Sequence, residues 1–287
     1  MPPTIYLDQS ALIDLFNQSQ QDSSFEKKVQ TAIATKALTI VLSPWHWIET
    51  ARTKDVQKAS SLANFMDALD PIWLRDRREL ESIEIQESFF GFVGVPYARP
   101  QALVTRAELI SAMNGVQLTA AQVPSSQEFV EGWIIKPELM DSVIKSYQAN
   151  AEALRDLRVA VLSGKLTPEF MKEADRKHIA MFLPERTPSK VVIDQTTKNN
   201  FLDTKSIYDF PCLSIESAIA EYSWKNAGRD DWNSMVDKFH LISAMPYADI
   251  IVSDDRYFML LLPIAQATGF AKAKVIKYRE LCQRFLA

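Results

Sequence analysis

Thr4-Ile5-Tyr6-Leu7-Asp8-Gln9-Ser10 sets four residues of strand character directly before an acid and a helix start. The four are β-branched, aromatic or aliphatic, and they read as a short buried strand. Ser10 can N-cap a helix over 11–16, where Leu12, Leu15 and Phe16 give one apolar face. A second helix is predicted over 25–36. The apolar run 38–42 reads as a second buried strand. Ser43-Pro44 then supplies an N-cap and a first helical residue, which places Glu49 early in the next helix. The same alternation returns near Pro211, with helices over 212–226 and 232–245, a strand at 250–252, a helix over 257–266 and a strand at 274–278. Alternation of this kind implies a three-layer α/β/α fold around a short parallel sheet.

Between these halves the periodicity changes. Residues 56–69 read as a helix, and the charge-dense stretch 75–87 as a mostly solvated helix. Residues 88–205 mix loop-like pieces (91–100, 122–127, 187–190) with helical ones (137–162, 168–182) and show no internal repeat. The expected organisation is a core of 1–87 and 206–287 with a mostly helical insertion at 88–205. Lys172, Arg176 and Lys177 are close enough on the 168–182 helix to form one basic face, a candidate substrate-binding surface. A loop is expected at 226–230.

The 287 residues are 47% hydrophobic and 24% charged, enough apolar material for a core and too much for a disordered chain. A formal net charge of −4 argues against a protein that coats nucleic acid. Cys212 and Cys282 have no zinc or disulfide spacing, so reduced thiols in a cytoplasmic protein are expected. No apolar run approaches the ~20 residues that span a bilayer, and the start carries no signal-peptide pattern.

Four acids stand out. Asp8 follows the first predicted strand, Glu49 lies in the helix after the second, and Asp255 follows the 250–252 strand. Asp237 shares a helical stripe with His240 and Ala244. In a parallel sheet, residues just past the carboxyl ends of the strands share one crevice. Carboxylates gathered there repel each other unless divalent cations sit between them. Asp254 rivals Asp255 for the fourth place. Singly, each acid also has a plainer reading: a strand end, a solvated helix flank, or a helix cap.

Leu-Asp-Gln-Ser around Asp8, Ser-Pro-Trp-His-Trp-Ile-Glu ending at Glu49, and Asp237 followed 18 residues later by Asp255 in Ser-Asp-Asp together resemble the motifs of PIN-domain nucleases. The resemblance covers roughly residues 1–55 and 210–287 and leaves out the middle. It implies a metal-dependent endoribonuclease using Mg²⁺ or Mn²⁺, hard ions that prefer carboxylate oxygen and water. Asp8 and Asp237 would be the principal metal ligands. Glu49 would bind metal or position water, and Asp255 (or Asp254) would complete the site. Ser10 and Ser253 would orient the carboxylates. RNA such as tRNA or a single strand, and a toxin or defence role, follow from the resemblance alone. An inhibitory or regulatory protein partner and a homodimer are left open. Two other readings use the same residues: a catalytically silent scaffold that binds RNA or protein, and a DNA nuclease or phosphatase.

Other candidates read more simply. His240 and Asp249 could reach the crevice, but a structural histidine and a turn cap are the expected roles. Trp45 and Trp47, which flank His46 before Glu49, could stack on bases, but core packing is the expected role, as it is for Trp73, Trp133, Trp224 and Trp232. Arg75, Arg77 and Arg78 could contact phosphates, but with Asp76, Glu79 and Glu81 around them a salt-bridged surface helix is the expected explanation.

Overall fold

The computed structural model describes residues 2–53, 55–136, 163–225 and 232–286, together with 138, 141, 142, 145, 149, 156, 159 and 160. The expected helix at 137–162 and loop at 226–230 therefore lie largely or wholly outside the described residues, as do the side chains of Trp224 and Trp232.

The fold is α/β. A six-stranded sheet contains β1 (Thr4–Leu7), β2 (Thr39–Leu42), β3 (Ile72–Leu74), β4 (Leu103–Val104), β5 (Ile250–Val252) and β6 (Lys274–Ile276). Its order is β4-β3-β2-β1-β5-β6. All pairings are parallel except β3 with β4. The chain moves outward from β1 on one side, through β2 and β3, and later returns to β1's other side with β5. The carboxyl ends of β1 and β5 thus meet at a topological switch point, where parallel sheets form their crevices.

Successive residues along each strand point to opposite faces, and the core divides accordingly. Ile5, Leu7, Ile40, Leu42, Trp73 and Val252 enter one apolar cluster. Tyr6, Val41, Leu74 and Ile251 enter another. The first is closed by helices Gln9–Gln21, Ser23–Ala34, Pro44–Ala51 and Val56–Ala68. The second is closed by Pro211–Lys225, Trp232–Ala244 and Arg256–Ala267.

Three local expectations need correction. Asp8, not Ser10, caps the first helix, which begins at Gln9. Helix Arg77–Phe92 is not mostly solvated: Leu80, Glu81, Ile83, Glu84, Ile85, Phe89 and Phe90 are buried. Its buried charges meet partners within the helix and on later parts of the chain. Arg77 Nε lies 3.2 Å from Glu81 Oε1, Arg77 also pairs with Glu216, and Glu84 accepts the Cys212 N–H at 3.0 Å and the Tyr247 hydroxyl. Third, β3 and β4 were not foreseen, and β4 falls within the stretch read as a helical insertion. Helix Ser126–Ile135 from that stretch also packs on the first core cluster through Val130.

Candidate active site

Each strand delivers its acid by a different local device. Past β1, the Asp8 N–H donates to the Val252 carbonyl at 3.0 Å, so the residue is fixed against β5 as well as β1. Its Oδ1 accepts the Ala11 N–H at 2.7 Å and the Ser10 hydroxyl at 2.8 Å. Past β2, the Ser43 N-cap and Pro44 start helix Pro44–Ala51, whose second turn carries Glu49. Past β5, Asp255 caps helix Arg256–Ala267, accepting the Phe258 N–H at 2.8 Å through Oδ1. Capping at Asp8 and Asp255 leaves room for further ligands, because a carboxylate has about four lone-pair sites on two oxygens.

Asp237 comes from helix Trp232–Ala244 and shows that the acids form one electrostatic group. Burial first, then the charge of Asp255, push its carboxyl up to about 7; Glu49 and Asp8 add to the rise and His240 opposes it. Asp8 is buried, and burial raises its carboxyl too. Hydrogen bonds from Ser253, Ala11 and Ser10 hold that rise in check, as does His240. Asp254 behaves differently: it is exposed, and its Oδ2 accepts the Tyr278 N–H at 3.1 Å. Asp255 is the member of the pair that acts on Asp237.

Beneath the acids runs a hydrogen-bonded chain that the sequence did not reveal. His240 Nε2 lies 2.8 Å from Glu49 Oε2, and His240 Nδ1 meets the Tyr6 hydroxyl. The Tyr6 hydroxyl lies 2.9 Å from Ser43 Oγ. His240 is only 2% exposed and Tyr6 is fully buried. A carboxylate only accepts, so the proton facing Glu49 belongs to His240 Nε2. In the neutral ring, Nδ1 then accepts from Tyr6, and Tyr6 from Ser43. His46 lies next to this chain, its ring 4.9 Å from that of His240. Its Nε2 donates to the Leu7 carbonyl at 2.7 Å and its Nδ1 accepts the Ser43 N–H at 2.9 Å. Burial lowers His46 to about 3, so it is neutral at pH 7. One signal was available in sequence: a tyrosine in the middle of a buried strand needs a partner for its hydroxyl.

The remaining candidates lie elsewhere. Asp249 sits at the start of β5, where it accepts the Thr4 N–H and hydroxyl, both at 2.8 Å, at the opposite strand ends from the acids. Lys172, Arg176 and Lys177 lie on helix Pro168–Ala180. Arg176 pairs with Asp203, Lys177 Nζ is 3.7 Å from Glu173, and Lys172 is exposed. Trp47 and Trp73 are fully buried and Trp45 is 6% exposed, as expected of core residues.

By type and charge the four acids suit a hard divalent cation. As they stand, however, no three His, Cys, Asp or Glu side chains among the described residues are spaced to hold one metal ion. No described helix is long and apolar enough to cross a membrane. Comparisons with protein-family models, with curated proteins and with solved structures gave no match.

Proposed function

We propose that this chain is a metal-dependent nuclease, an endoribonuclease in a PIN-like three-layer α/β/α frame. The observation that carries the reading is the placement of Asp8, Glu49 and Asp255 just past the carboxyl ends of the neighbouring strands β1, β2 and β5, with Asp237 subject to the charges of all three. Burial and, after it, the charges of Asp255, Glu49 and Asp8 raise Asp237, and a cation would relieve the repulsion part of that rise. Asp8 and Asp237 would hold Mg²⁺ or Mn²⁺, and Asp255 and Glu49 would complete the set. A bound ion supplies an activated water and neutralises charge on the phosphodiester. Glu49 would bind the metal or position the attacking water, and His240 fixes the Glu49 carboxylate through the 2.8 Å bond. Ser10 and Ser253 hold Asp8 in place by donating to it.

The test compares the wild type with Asp8→Asn and Asp237→Asn on tRNA, mRNA and single-stranded DNA, with Mn²⁺ or with EDTA. Cleavage that needs Mn²⁺ and is lost in both folded variants supports the nuclease and identifies its nucleic acid. Unchanged cleavage in the variants rejects the site. A second reading, a silent scaffold that binds RNA or protein, draws on the absence of a ready three-ligand set among the described residues. It predicts nucleic-acid or protein binding without metal-dependent cleavage. Cleavage of DNA alone, or of a small phosphoester, would point instead to a DNA nuclease or phosphatase at the same residues.

A further inference from the structure

A cleft of about 720 Å³ is lined in part by the two helices that carry Glu49 and Asp237, though none of the four candidate acids lines it. Trp45 and Phe239 line it, with rings stacked at 5.0 Å. Phe129 and Trp133 also line it; both are half-buried, with ring centroids 6.1 Å apart. Arg77 and Arg78 complete a mixed aromatic and cationic surface. The guanidinium of Arg77 lies over the Phe239 ring at 5.1 Å and is already paired with Glu81 and Glu216. Arg78 is exposed and has no ion-pair partner among the described residues. The acids in the lining are engaged: Glu79 with Arg75, and Asp76 with the Arg78 N–H at 3.0 Å.

Position links this cleft to the acids. Trp45 and Glu49 are four residues apart on helix Pro44–Ala51, so they lie on one face about 6 Å apart along the axis. Phe239 directly precedes His240 on the other helix. The two helices that hold the Glu49–His240 pair therefore also build the cleft wall.

We infer that this cleft binds unpaired bases of a single-stranded nucleic acid and leads the strand toward the carboxylates. Trp45 and Phe239 are taken up with each other and with Arg77, so half-buried Phe129 and Trp133 are the aromatic surface on which a base can stack, and the guanidinium of Arg78 suits phosphate. The volume falls in the ~300–1,000 Å³ range of small-ligand pockets, large enough for a nucleoside. A duplex keeps its bases stacked internally and gains none of this. Arg78 favours a phosphate-bearing strand over an apolar peptide, which has no charge to meet it. The cleft's role in feeding the site rests on the nuclease reading; its binding of bases does not.

The test is fluorescence anisotropy of labelled 12-nucleotide single strands, RNA and DNA, and of the matching duplexes. The full chain is used in EDTA, so cleavage plays no part. Single strands should bind more tightly than duplexes. Trp133→Ala and Arg78→Ala should each weaken that binding roughly 10-fold. Trp133→Phe should restore most of it, and circular dichroism should show all variants folded. Arg78 is exposed, so its variant remains informative if Trp133→Ala fails to fold. Absent single-strand binding, or binding unchanged in Arg78→Ala and in a folded Trp133 variant, overturns the inference. Cleft-dependent binding by a chain that never cleaves would sustain it while rejecting the nuclease.

Discussion

His240 Nε2 and Glu49 Oε2, 191 residues apart in the chain, lie 2.8 Å from each other at the edge of the carboxylate group. The histidine is buried on its other side against Tyr6, so it has no freedom to turn away. Glu49 is thus held on a rigid arm, while Asp237 feels its charge from the same helix that carries His240.

Replacing His240 should uncouple that arm. His240→Ala is expected to lower metal-dependent cleavage by about 10–100-fold, the usual effect of losing a group that orients a metal ligand. His240→Gln, which can still donate to Glu49, should recover part of it. Equal losses in the two folded variants would show that the bond to Glu49 does not matter to activity.

The raised carboxyl of Asp237 makes stability depend on pH. Burial, followed by its neighbours' charges, holds its carboxyl at about 7, whereas an unfolded aspartate titrates near ~3.9. Between those values the folded chain binds a proton that the unfolded chain does not, so stability falls as pH rises from about 4 to about 7. Asp237→Asn should remove that slope and raise metal-free stability at pH 8 by on the order of 1–3 kcal/mol. Urea unfolding at pH 5 and pH 8 in EDTA reads this directly. Parallel slopes for wild type and variant would count against the shared electrostatics, and added Mn²⁺ should stabilise only the wild type.

Asp254 and Asp255 should separate cleanly. Asn retains an N-cap, so Asp255→Asn should leave the melting temperature nearly unchanged while abolishing cleavage. Asp254→Asn, on a residue that faces Tyr278 and solvent, should alter cleavage less than about threefold, in line with a surface change. The opposite ranking would move the fourth ligand to Asp254.

Tyr6→Phe deletes one oxygen from the middle of the buried chain. It strands His240 Nδ1 and costs Ser43 a partner, so a loss of about 1–3 kcal/mol is expected from thermal or chemical unfolding. A variant as stable as wild type would mean that the Tyr6–His240 contact is not a working hydrogen bond.

Arg77→Ala should be the most damaging change outside the site. It leaves Glu81, whose side chain is 0% exposed, short of its cation, at a cost of about 3–5 kcal/mol. Stability near that of wild type would indicate that His178, whose Nε2 lies 3.3 Å from Glu81 Oε2, is partner enough for Glu81.

The parts of the fold that were legible in sequence are those where one signal was sufficient. The β-branched runs before Asp8, Glu49 and Asp255 gave strands, and the acids followed from their ends. Ser43-Pro44 marked its helix correctly. What stayed hidden depended on partners far away in the chain. Ile72–Leu74 and Leu103–Val104 are too short to show alternation, and β4 is a strand only because β3 lies beside it. The charges of 75–87 suggested solvent because their partners, Glu216, Cys212 and Tyr247, lie more than a hundred residues later. His240 was noticed beside Asp237, yet its bond to Glu49 needed the tertiary fold.

β1 pairs with β2 on one side and β5 on the other, and more than 240 residues separate β1 from β5. During synthesis, therefore, the amino-terminal half can assemble β1 to β4 while one edge of β1 waits open. Asp8 then has neither its Val252 partner nor its acidic neighbours Asp237 and Asp255. A ribosome-bound or prematurely terminated chain lacks the complete acid group, so any activity would switch on only after the final strands emerge. The same delay makes the late-pairing edge of β1 the place where misfolding would begin.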